Sequence, residues 1–560
     1  MRRFQVAWET VATASLIGAA LLLLLVAWLG AELAALSGSA GRPPLNPMTL
    51  VTDLAQGKFH WASTDTAYCA LITAALAVVA AGIVIRWWHG APRHHVDRRA
   101  TLLMRDPRAM SRYVDWDKGV AASSAGPGPE IGVDVVKRQV VRATWECVGV
   151  YIAGMRMRKT SNWVVPHVLG SPGPAYVTSN KRDMVDLTRP LRARRGETWL
   201  YDPQGIAGGE PTWWWNPLDL ADDVAGAMML AGIFAAATRP IGSTMDSYFD
   251  PEGEALLAML LLAAHRADKS IVDVYRWLTD PRDDEPVGAL RSASHDLAAA
   301  GVRGVIDQPD RQRAGVYGTA KKMLGWCVDE RLMRWCVDDG SARRRFSAEA
   351  FATSSDTVYA LSKEGPGSAG PLTAAFTAGV ARAAERVAAA APNGRLSVPM
   401  MAVLDEVANV CRWRELPDLY SHYGSRGIVM EAFLQSWAQG VECWGPEGMK
   451  KLWSAANIGV YAGGAKEEQF LEGLSRLCGE VDVVTQGTSD GRLGATYSQS
   501  YRRERVLEVG TLAALPRGRA LVMLSGAPPV VVEARSVWDG EYNDAVRATV
   551  PRTLIPEAIR

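Results

Sequence analysis

Two long apolar runs near the N-terminus constrain the fold of this chain more than any other feature. Val11–Leu29 and Ala67–Ile85 contain no charged residue. Each meets the length of roughly 18–20 residues that a helix needs to cross the hydrocarbon core of a bilayer. A cleaved signal peptide is the alternative for the first run, but its apolar core is too long and a second run follows. The sequence therefore predicts two transmembrane helices.

Basic residues around the two runs predict their orientation. Only Arg42 and Lys58 lie between the runs, whereas arginines precede the first and follow the second. Loops rich in Lys and Arg remain on the cytoplasmic side. We therefore expect both termini, and the large region after the second run, to be cytoplasmic. The flanking arginines are Arg2, Arg3, Arg86, Arg93, Arg98 and Arg99.

The composition of the 560-residue chain is that of a globular protein with more than one folding unit, at 48% hydrophobic and 22% charged residues. A formal net charge of +1 provides no overall field to attract nucleic acid, so such contacts would need local basic patches. The seven cysteines show no CxxC spacing. This indicates reduced thiols of a cytosolic domain rather than a disulfide framework or a zinc site.

A strand-like run leads into a Lys-Thr pair at the start of an apolar helix. Cys147–Ala153 breaks at Gly154, and Lys159 and Thr160 follow. Phosphate-binding loops are built in this way: backbone N–H groups face the anion, the Lys reaches the outer phosphates and the Thr hydroxyl binds Mg²⁺. The loop is imperfect, because the usual pattern has glycine where this chain has Ala153 and Arg158.

Further short apolar runs end in polar residues, which is typical of a buried parallel sheet whose crevice lies along the C-terminal strand ends. Val398–Leu404 ends in Asp405-Glu406, and Ile428–Leu434 ends in Gln435-Ser436. The acidic pair has the Walker B form, in which the first acid supports the Mg²⁺ and the second polarises the attacking water. A solvated or helix-capping pair is the alternative. The other predicted strands are Ala175–Thr178, Thr198–Tyr201, Ile458–Ala462, Ala520–Leu524 and Val530–Val532.

From Asp219 to about Ser347 the pattern becomes purely helical, which predicts an all-α domain inserted between two strands of the sheet. A Gly/Pro/Ser-rich linker precedes Pro129. The predicted division is a membrane anchor over 1–96, a cytosolic linker over 97–128, a nucleotide-binding domain over 129–218 and 348–560, and the inserted domain over 219–347.

Several sequence blocks, taken in order, resemble the TraG/TraD-type coupling proteins of conjugation and type IV secretion. They include GMRMRKTSNWVVPHVL, GPAYVTSNKRDMVDLT, RGETWLYDPQG and VLDEVANVCRWRELPDLYSHYGSRGIVMEAFLQSWAQ, and the similarity covers nearly all of Val133–Val537. The resemblance implies an α/β fold: a RecA-like P-loop NTPase sheet with an inserted all-α domain, preceded by two transmembrane helices. It also implies a multi-pass protein of the bacterial inner membrane, which uses ATP and Mg²⁺ as a hexameric DNA translocase. The implied partners are single-stranded DNA, a relaxase or effector protein, and components of the type IV secretion channel.

The resemblance also assigns site residues. Glu406 would activate water, Gln435 would sense the γ-phosphate, and Arg426 is the candidate arginine finger reaching a neighbouring subunit, with a helix-capping role as its alternative. Thr160 and Asp405 would hold the metal ion. The nucleotide-binding candidates are Gly154, Arg156, Arg158, Lys159, Thr160, Ser161 and Asp202, although Asp202 also fits a turn cap before Pro203.

Two further features leave alternatives open. The basic stretch Lys181–Arg195 is a DNA-binding candidate if it faces a ring pore, and otherwise a solvated surface; the residues concerned are Lys181, Arg182, Arg192, Arg194 and Arg195. The run Trp213-Trp214-Trp215 favours packing between the sheet and the inserted domain over stacking on bases.

Position 158 decides between two functions. A glycine there would permit a positive φ, and an Arg in the same conformation costs roughly 1–2 kcal/mol. Either Arg158 adds charge to a working ATPase site, or the loop is degenerate and the chain is a non-hydrolysing membrane receptor of the same fold. An FtsK-type DNA motor is a third alternative, disfavoured by the two spans and the all-α insertion.

Overall fold

The computed structural model describes residues 2–90, 94–103, 106–114, 125–238, 246–365, 367–491 and 494–556. Arg93, and residues 104–105 and 115–124 of the predicted linker, lie outside the described residues. The chain divides into two compact units, Met1–Arg93 and His94–Arg560. The finer division into five segments remains a prediction.

The first unit consists of helices α1 (Arg2–Leu36), α2 (Leu50–Ala55) and α3 (Ser63–Gly90). The two predicted spans lie within α1 and α3. Gly18–Leu36 and Ser63–Ala81 are long and apolar enough to cross a membrane. The two helices approach closely, since a Cβ at Gly30 would lie 2.3 Å from the Cys69 sulfur atom.

The second unit is built on an eleven-stranded sheet in the order β2-β1-β15-β14-β11-β3-β10-β9-β4-β8-β5. The seven strands from β11 to β5 pair in parallel, and the four from β14 to β2 pair antiparallel. The fold is therefore α/β with a large parallel sheet, as expected, but the C-terminal strands extend it in the antiparallel sense. The sheet strands are β1 Glu130–Asp134, β2 Val140–Arg142, β3 Gly149–Ile152, β4 Ala175–Ser179, β5 Thr198–Tyr201, β8 Thr357–Leu361, β9 Met400–Leu404, β10 Ile428–Leu434, β11 Ile458–Tyr461, β14 Arg519–Leu524 and β15 Ala527–Glu533.

Four strands lie outside this sheet. The short strands β6 (Trp213–Trp214) and β7 (Arg344–Arg345) pair with each other at the two ends of the helical segment. Strands β12 (Glu480–Gly491) and β13 (Gly494–Arg505) form a long two-stranded hairpin that the sequence pattern did not predict. Its strands carry many polar residues, so they lack the continuous apolar pattern that indicated the buried strands.

Helices cover both faces of the sheet, and a helical segment follows β6. A π-helical turn, Thr160–Val164, precedes α6. The helices of the second unit are α4 His95–Ala100, α5 Pro107–Val114, α6 Val165–Gly170, α7 Asp183–Arg192, α8 Val224–Thr238, α9 Phe249–Arg266, α10 Ile271–Thr279, α11 Glu285–Ser292, α12 Asp296–Ile306, α13 Asp310–Met323, α14 Glu330–Met333, α15 Ala348–Ala352, α16 Gly370–Ala390, α17 Val407–Val410, α18 Leu416–Ser425, α19 Trp437–Ala455, α20 Glu468–Leu477, α21 Val509–Ala513 and α22 Asn543–Thr549.

Apolar side chains fill both faces of the sheet, because successive residues of a strand point in opposite directions. In β3, Val150 and Ile152 belong to the core that includes the inserted helices, whereas Tyr151 belongs to the core on the other face. Trp213 packs within the first core and contacts Trp335, with ring centroids 5.6 Å apart. Trp213 and Trp215 are buried, so the structure agrees with packing rather than base stacking for this run.

Candidate nucleotide-binding site

The loop after β3 is held against a turn that follows β11. The Gly154 N–H donates to the Gly463 carbonyl at 2.9 Å. A Cβ at Gly154 would lie 2.7 Å from the backbone of Gly464, so only glycine permits this approach. Gly463 and Gly464 both have positive φ. Gly463 and Gly464 directly follow the predicted strand Ile458–Ala462. A Gly-Gly pair in that position is the sequence signal that could have identified the turn contacting the loop.

Two residues of the loop adopt the left-handed conformation. Arg156 and Arg158 both have φ +63°. The conformation expected at position 158 is therefore present, and it costs roughly 1–2 kcal/mol for a residue with a side chain. Both arginines are exposed, whereas Met157 between them is buried. The loop thus keeps the backbone conformation that a glycine favours, and it presents two guanidinium groups.

Lys159 forms a buried ion triad with the acidic pair after β9. Its Nζ lies 2.8 Å from Asp405 Oδ1 and 2.5 Å from Glu406 Oε1. The three residues are 9%, 4% and 6% exposed, respectively. Burial alone would lower the pKa of Lys159, but the two carboxylates raise it above its ordinary value. Burial raises the pKa of Asp405, and the charge of Lys159 offsets only part of this rise. The lysine is therefore a firmly charged cation held by two carboxylates.

A second set of contacts orients Glu406 from the end of β10. Gln435 Nε2 donates to Glu406 Oε2 at 2.9 Å. The Gln435 N–H donates to Gln439 Oε1 at 2.8 Å, and Gln439 Nε2 donates to Asn409 Oδ1 at 2.8 Å. Glu406 itself has φ +54°. The carboxylate is thus fixed between a lysine and an amide, in a backbone conformation that few residues with side chains adopt.

One cavity of about 470 Å³ unites these groups at the C-terminal ends of the parallel strands. Its walls include Lys159, Asp405, Glu406 and Gln435 together with the whole loop from Gly154 to Ser161. Parallel strands bring side chains to one edge in this way, as predicted. Residues that the sequence did not assign to this cavity also line it, namely Asn180, Lys181, Asp183, Leu187, Trp538 and Leu554.

The donor set fits a magnesium ion that is shared with a phosphate ligand. Asp405 Oδ1 is buried and accepts no hydrogen bond of regular geometry among the described residues, although it lies 2.8 Å from Lys159 Nζ. Thr160 lines the same cavity. Within the described ranges there is no group of three or more His, Cys, Asp or Glu side chains placed to hold a metal. Mg²⁺ commonly takes only one or two carboxylates and completes its shell with phosphate and water.

Two predicted site residues lie elsewhere. Asp202 follows β5 at the edge of the sheet and accepts hydrogen bonds from the N–H groups of residues 206–208, so it caps a turn. This agrees with the turn-cap alternative, and Asp202 is not among the residues that line the cavity. Arg426 precedes β10 at the N-terminal end of that strand, opposite the cavity, and its backbone ends α18. A role at a neighbouring subunit remains a prediction for Arg426.

The DNA-binding candidates separate into three kinds. Arg192 is 1% exposed, and its guanidinium donates to Thr357 Oγ1 and to backbone carbonyls, so it is a structural residue and not a surface contact. Lys181 lines the cavity described above. Arg182, Arg194 and Arg195 are exposed. Sequence alone could not find the burial of Arg192, because the carbonyls that it satisfies come from distant segments.

Comparison with known proteins supports the resemblance. A family model described as the TraM recognition site of TraD and TraG matches residues 399–517. No curated protein matches the chain. Among solved structures, the unbound conjugative coupling protein TrwBdeltaN70 is 16% identical with a TM-score of 0.54, over 72% of this chain and 88% of that chain.

Two further structures of that coupling protein carry nucleotides. TrwB in complex with the ATP analogue ADPNP is 17% identical with a TM-score of 0.51, over 70% of this chain and 86% of that one. TrwB with ADP and Mg²⁺ is 16% identical with a TM-score of 0.51, over 73% and 88%. At these identities the similarity establishes a shared fold. The resemblance to the TraG/TraD-type coupling proteins that the sequence motifs predict is confirmed, by the family model over residues 399–517 and by this shared fold.

Proposed function

We propose that this chain is a membrane-anchored coupling ATPase, which recruits DNA or a relaxase–DNA complex and moves it to a type IV secretion channel. The observation that carries the proposal is the cavity in which Lys159, Asp405, Glu406 and Gln435 meet. These residues follow three adjacent parallel strands, β3, β10 and β9, Lys159 at the end of the loop after β3. Structures of TrwB with ADPNP and with ADP and Mg²⁺ support a nucleotide and Mg²⁺ as ligands of this fold.

The residues have distinct tasks in this proposal. Lys159 exchanges its two carboxylate partners for the phosphates of ATP, and the N–H groups of the loop face the same anion. Mg²⁺, when held by Thr160 and Asp405 together with the phosphates, would neutralise charge that develops on the transferred group. Glu406, once released from Lys159, orients and polarises the attacking water. Gln435, already bonded to Glu406, links the γ-phosphate to the end of β10.

The membrane assignment rests on the two helices α1 and α3, whose apolar segments qualify as candidate spans. Two spans place both ends of the chain on the same side, and the flanking arginines favour the cytoplasm. We accordingly propose that the anchor lies in the bacterial inner membrane and that the unit His94–Arg560 faces the cytoplasm. A TraM-like protein, a relaxase and channel components are the proposed partners. A homo-hexamer is the proposed assembly, with Arg426 reaching the neighbouring nucleotide.

The test is ATP turnover by the full-length protein in detergent micelles, with and without single-stranded DNA. Lys159→Ala and Glu406→Gln should each reduce turnover by at least a hundredfold, because each removes a group that acts on the transferred phosphate. Lys451→Ala is a matched surface control, since Lys451 is exposed and pairs with Asp418. If wild type and both site variants show the same background turnover, the ATPase proposal fails.

One observation favours the second candidate, a receptor that binds substrate without hydrolysis. Arg158 brings a guanidinium to a loop position where a side chain competes with the phosphates for space. In a degenerate loop, wild type would show no turnover and Arg158→Gly would restore it. In a working loop, wild type would hydrolyse ATP, and Arg158→Gly would alter KM more than kcat because the lost charge acts on binding.

A further inference from the structure

The loop after β4 holds a lysine that neither the sequence motifs nor the comparisons assign to the nucleotide site. Thr178 in β4 is paired with Leu404 in β9, so the two strands end side by side. The residues that follow them are Ser179-Asn180-Lys181 and Asp405-Glu406. Neighbouring strands lie about 4.8 Å apart, so the two strand ends are close, and Lys181 lines the same cavity as the acidic pair.

Hydrogen bonds fix the backbone of this loop. Thr178 Oγ1 donates to the Asp405 carbonyl at 2.9 Å, which ties the two strand ends together. Ser179 Oγ accepts from the Lys181 N–H at 3.2 Å. Asn180 Nδ2 donates to Glu364 Oε1 at 2.6 Å, so Asn180 is anchored on the side of β8. These hydrogen bonds fix the position from which the Lys181 side chain extends.

The Lys181 side chain lines the cavity without a partner of its own. Across the described ranges, its Nζ makes no hydrogen bond or ion pair, and the same holds for the guanidinium groups of Arg156 and Arg158. Lys159, by contrast, remains charged, and its charge is balanced by the two carboxylates with which it pairs. The cavity cations available to an incoming anion are thus Arg156, Arg158 and Lys181.

We infer that Lys181 is a phosphate-binding residue that contacts the terminal phosphate of the bound nucleoside triphosphate. This inference rests on the function proposed above. The loop between β3 and α6 cradles the inner phosphates, so a ligand extending towards β9 and β4 places its last phosphate beside Lys181. An ammonium group makes strong hydrogen bonds to phosphate oxygens and so distinguishes a triphosphate from a diphosphate. Lys181 is thereby removed from the DNA-binding candidates.

The test measures binding of ADPNP and of ADP, each with Mg²⁺, to the full-length protein in detergent micelles. Lys181→Ala should weaken ADPNP binding about tenfold, the factor that corresponds to roughly 1.4 kcal/mol, and ADP binding less than twofold. Lys181→Arg should retain most of the ADPNP affinity. Lys451→Ala is the matched control, because Lys451 is an exposed lysine outside the cavity that pairs with Asp418. It should bind both nucleotides as wild type does.

The outcomes separate this inference from the proposed function. If wild type binds neither nucleotide, both fail. Suppose instead that wild type binds ADPNP. If Lys181→Ala binds ADPNP as tightly as wild type does, or loses as much affinity for ADP as for ADPNP, only the role of Lys181 is refuted. Binding of a fluorescent single-stranded oligonucleotide provides the remaining comparison. A loss of DNA affinity in Lys181→Ala with unchanged ADPNP affinity would return Lys181 to the DNA-binding set.

Discussion

Replacing Lys159 by Met should destabilise the protein even without nucleotide. The substitution leaves Asp405 and Glu406 facing each other at 4% and 6% exposure, with no cation between them. Removing one partner of a buried ion pair costs about 3–5 kcal/mol. For a cooperative unit as long as His94–Arg560, 1 kcal/mol corresponds to about 1 °C in melting temperature. We therefore expect a fall of about 3–5 °C at pH 8, measured by tryptophan fluorescence in detergent micelles.

Two companion variants isolate the charge effect. Glu406→Gln brings the formal charge of the triad from −1 to zero and should not lower the melting temperature. The double variant Lys159→Met/Glu406→Gln should recover at least half of the loss, because one carboxylate remains and its pKa is already raised by burial. A change in stability of the double variant that differs from the sum of the two single changes is expected when the two side chains are in direct contact. Lys322→Met, on an exposed helix surface, is the control and should melt as wild type does.

The pH dependence provides an independent check on the same triad. At pH 5.5 the loss caused by Lys159→Met should be smaller than at pH 8, because one of the facing carboxylates can take up a proton and the repulsion disappears. A Lys159→Met protein that melts within 1 °C of wild type at pH 8 would refute the argument. So would a double variant that is less stable than Lys159→Met alone.

Two other predictions concern groups around the site. Burial alone would lower the pKa of His167, but Glu431, 2.6 Å away, raises it overall, so the stability that His167 contributes is complete below about pH 6.5 and is lost as pH rises through its higher folded pKa. The difference in melting temperature between wild type and His167→Gln should therefore shrink from pH 6 to pH 9, and a constant difference would exclude this histidine as the titrating group. Gly154→Ala should weaken ADPNP binding and destabilise the protein by about 1–3 kcal/mol, because its Cβ would meet the Gly464 backbone at 2.7 Å. Gly473→Ala, in an open helix position, should be neutral or stabilising, and equal effects of the two substitutions would contradict the steric argument.

Much of the sheet could be predicted from local sequence. The run Ile428–Leu434 is β10 with the same limits, and Val398–Leu404 differs from β9 only at its start. Such strands are recognisable because they are buried on both faces and so are continuously apolar. The polar hairpin of β12 and β13 carries no such pattern and was missed.

The candidate site could be predicted only in part. Lys159 and the pair Asp405-Glu406 follow strands and belong to recognisable patterns, so their residue types and spacing indicate a common edge. The pattern did not show that Lys159 is paired with both carboxylates. It also left Asp202 open between the crevice and a turn cap and placed Arg192 on a surface, whereas the structure shows a turn cap and a buried arginine.

The sequence by itself determined the two apolar spans, the parallel α/β character and the residue types of a phosphate loop, because each depends on neighbouring residues along the chain. The tertiary structure decided the order of strands, and with it which distant residues share a cavity. Strand order is set by packing and hydrogen bonds between segments hundreds of residues apart, which leave no local pattern. That order brings Lys181 and Glu406 into one cavity, and it supplies the turn of Gly463 and Gly464 that supports the loop containing Arg158.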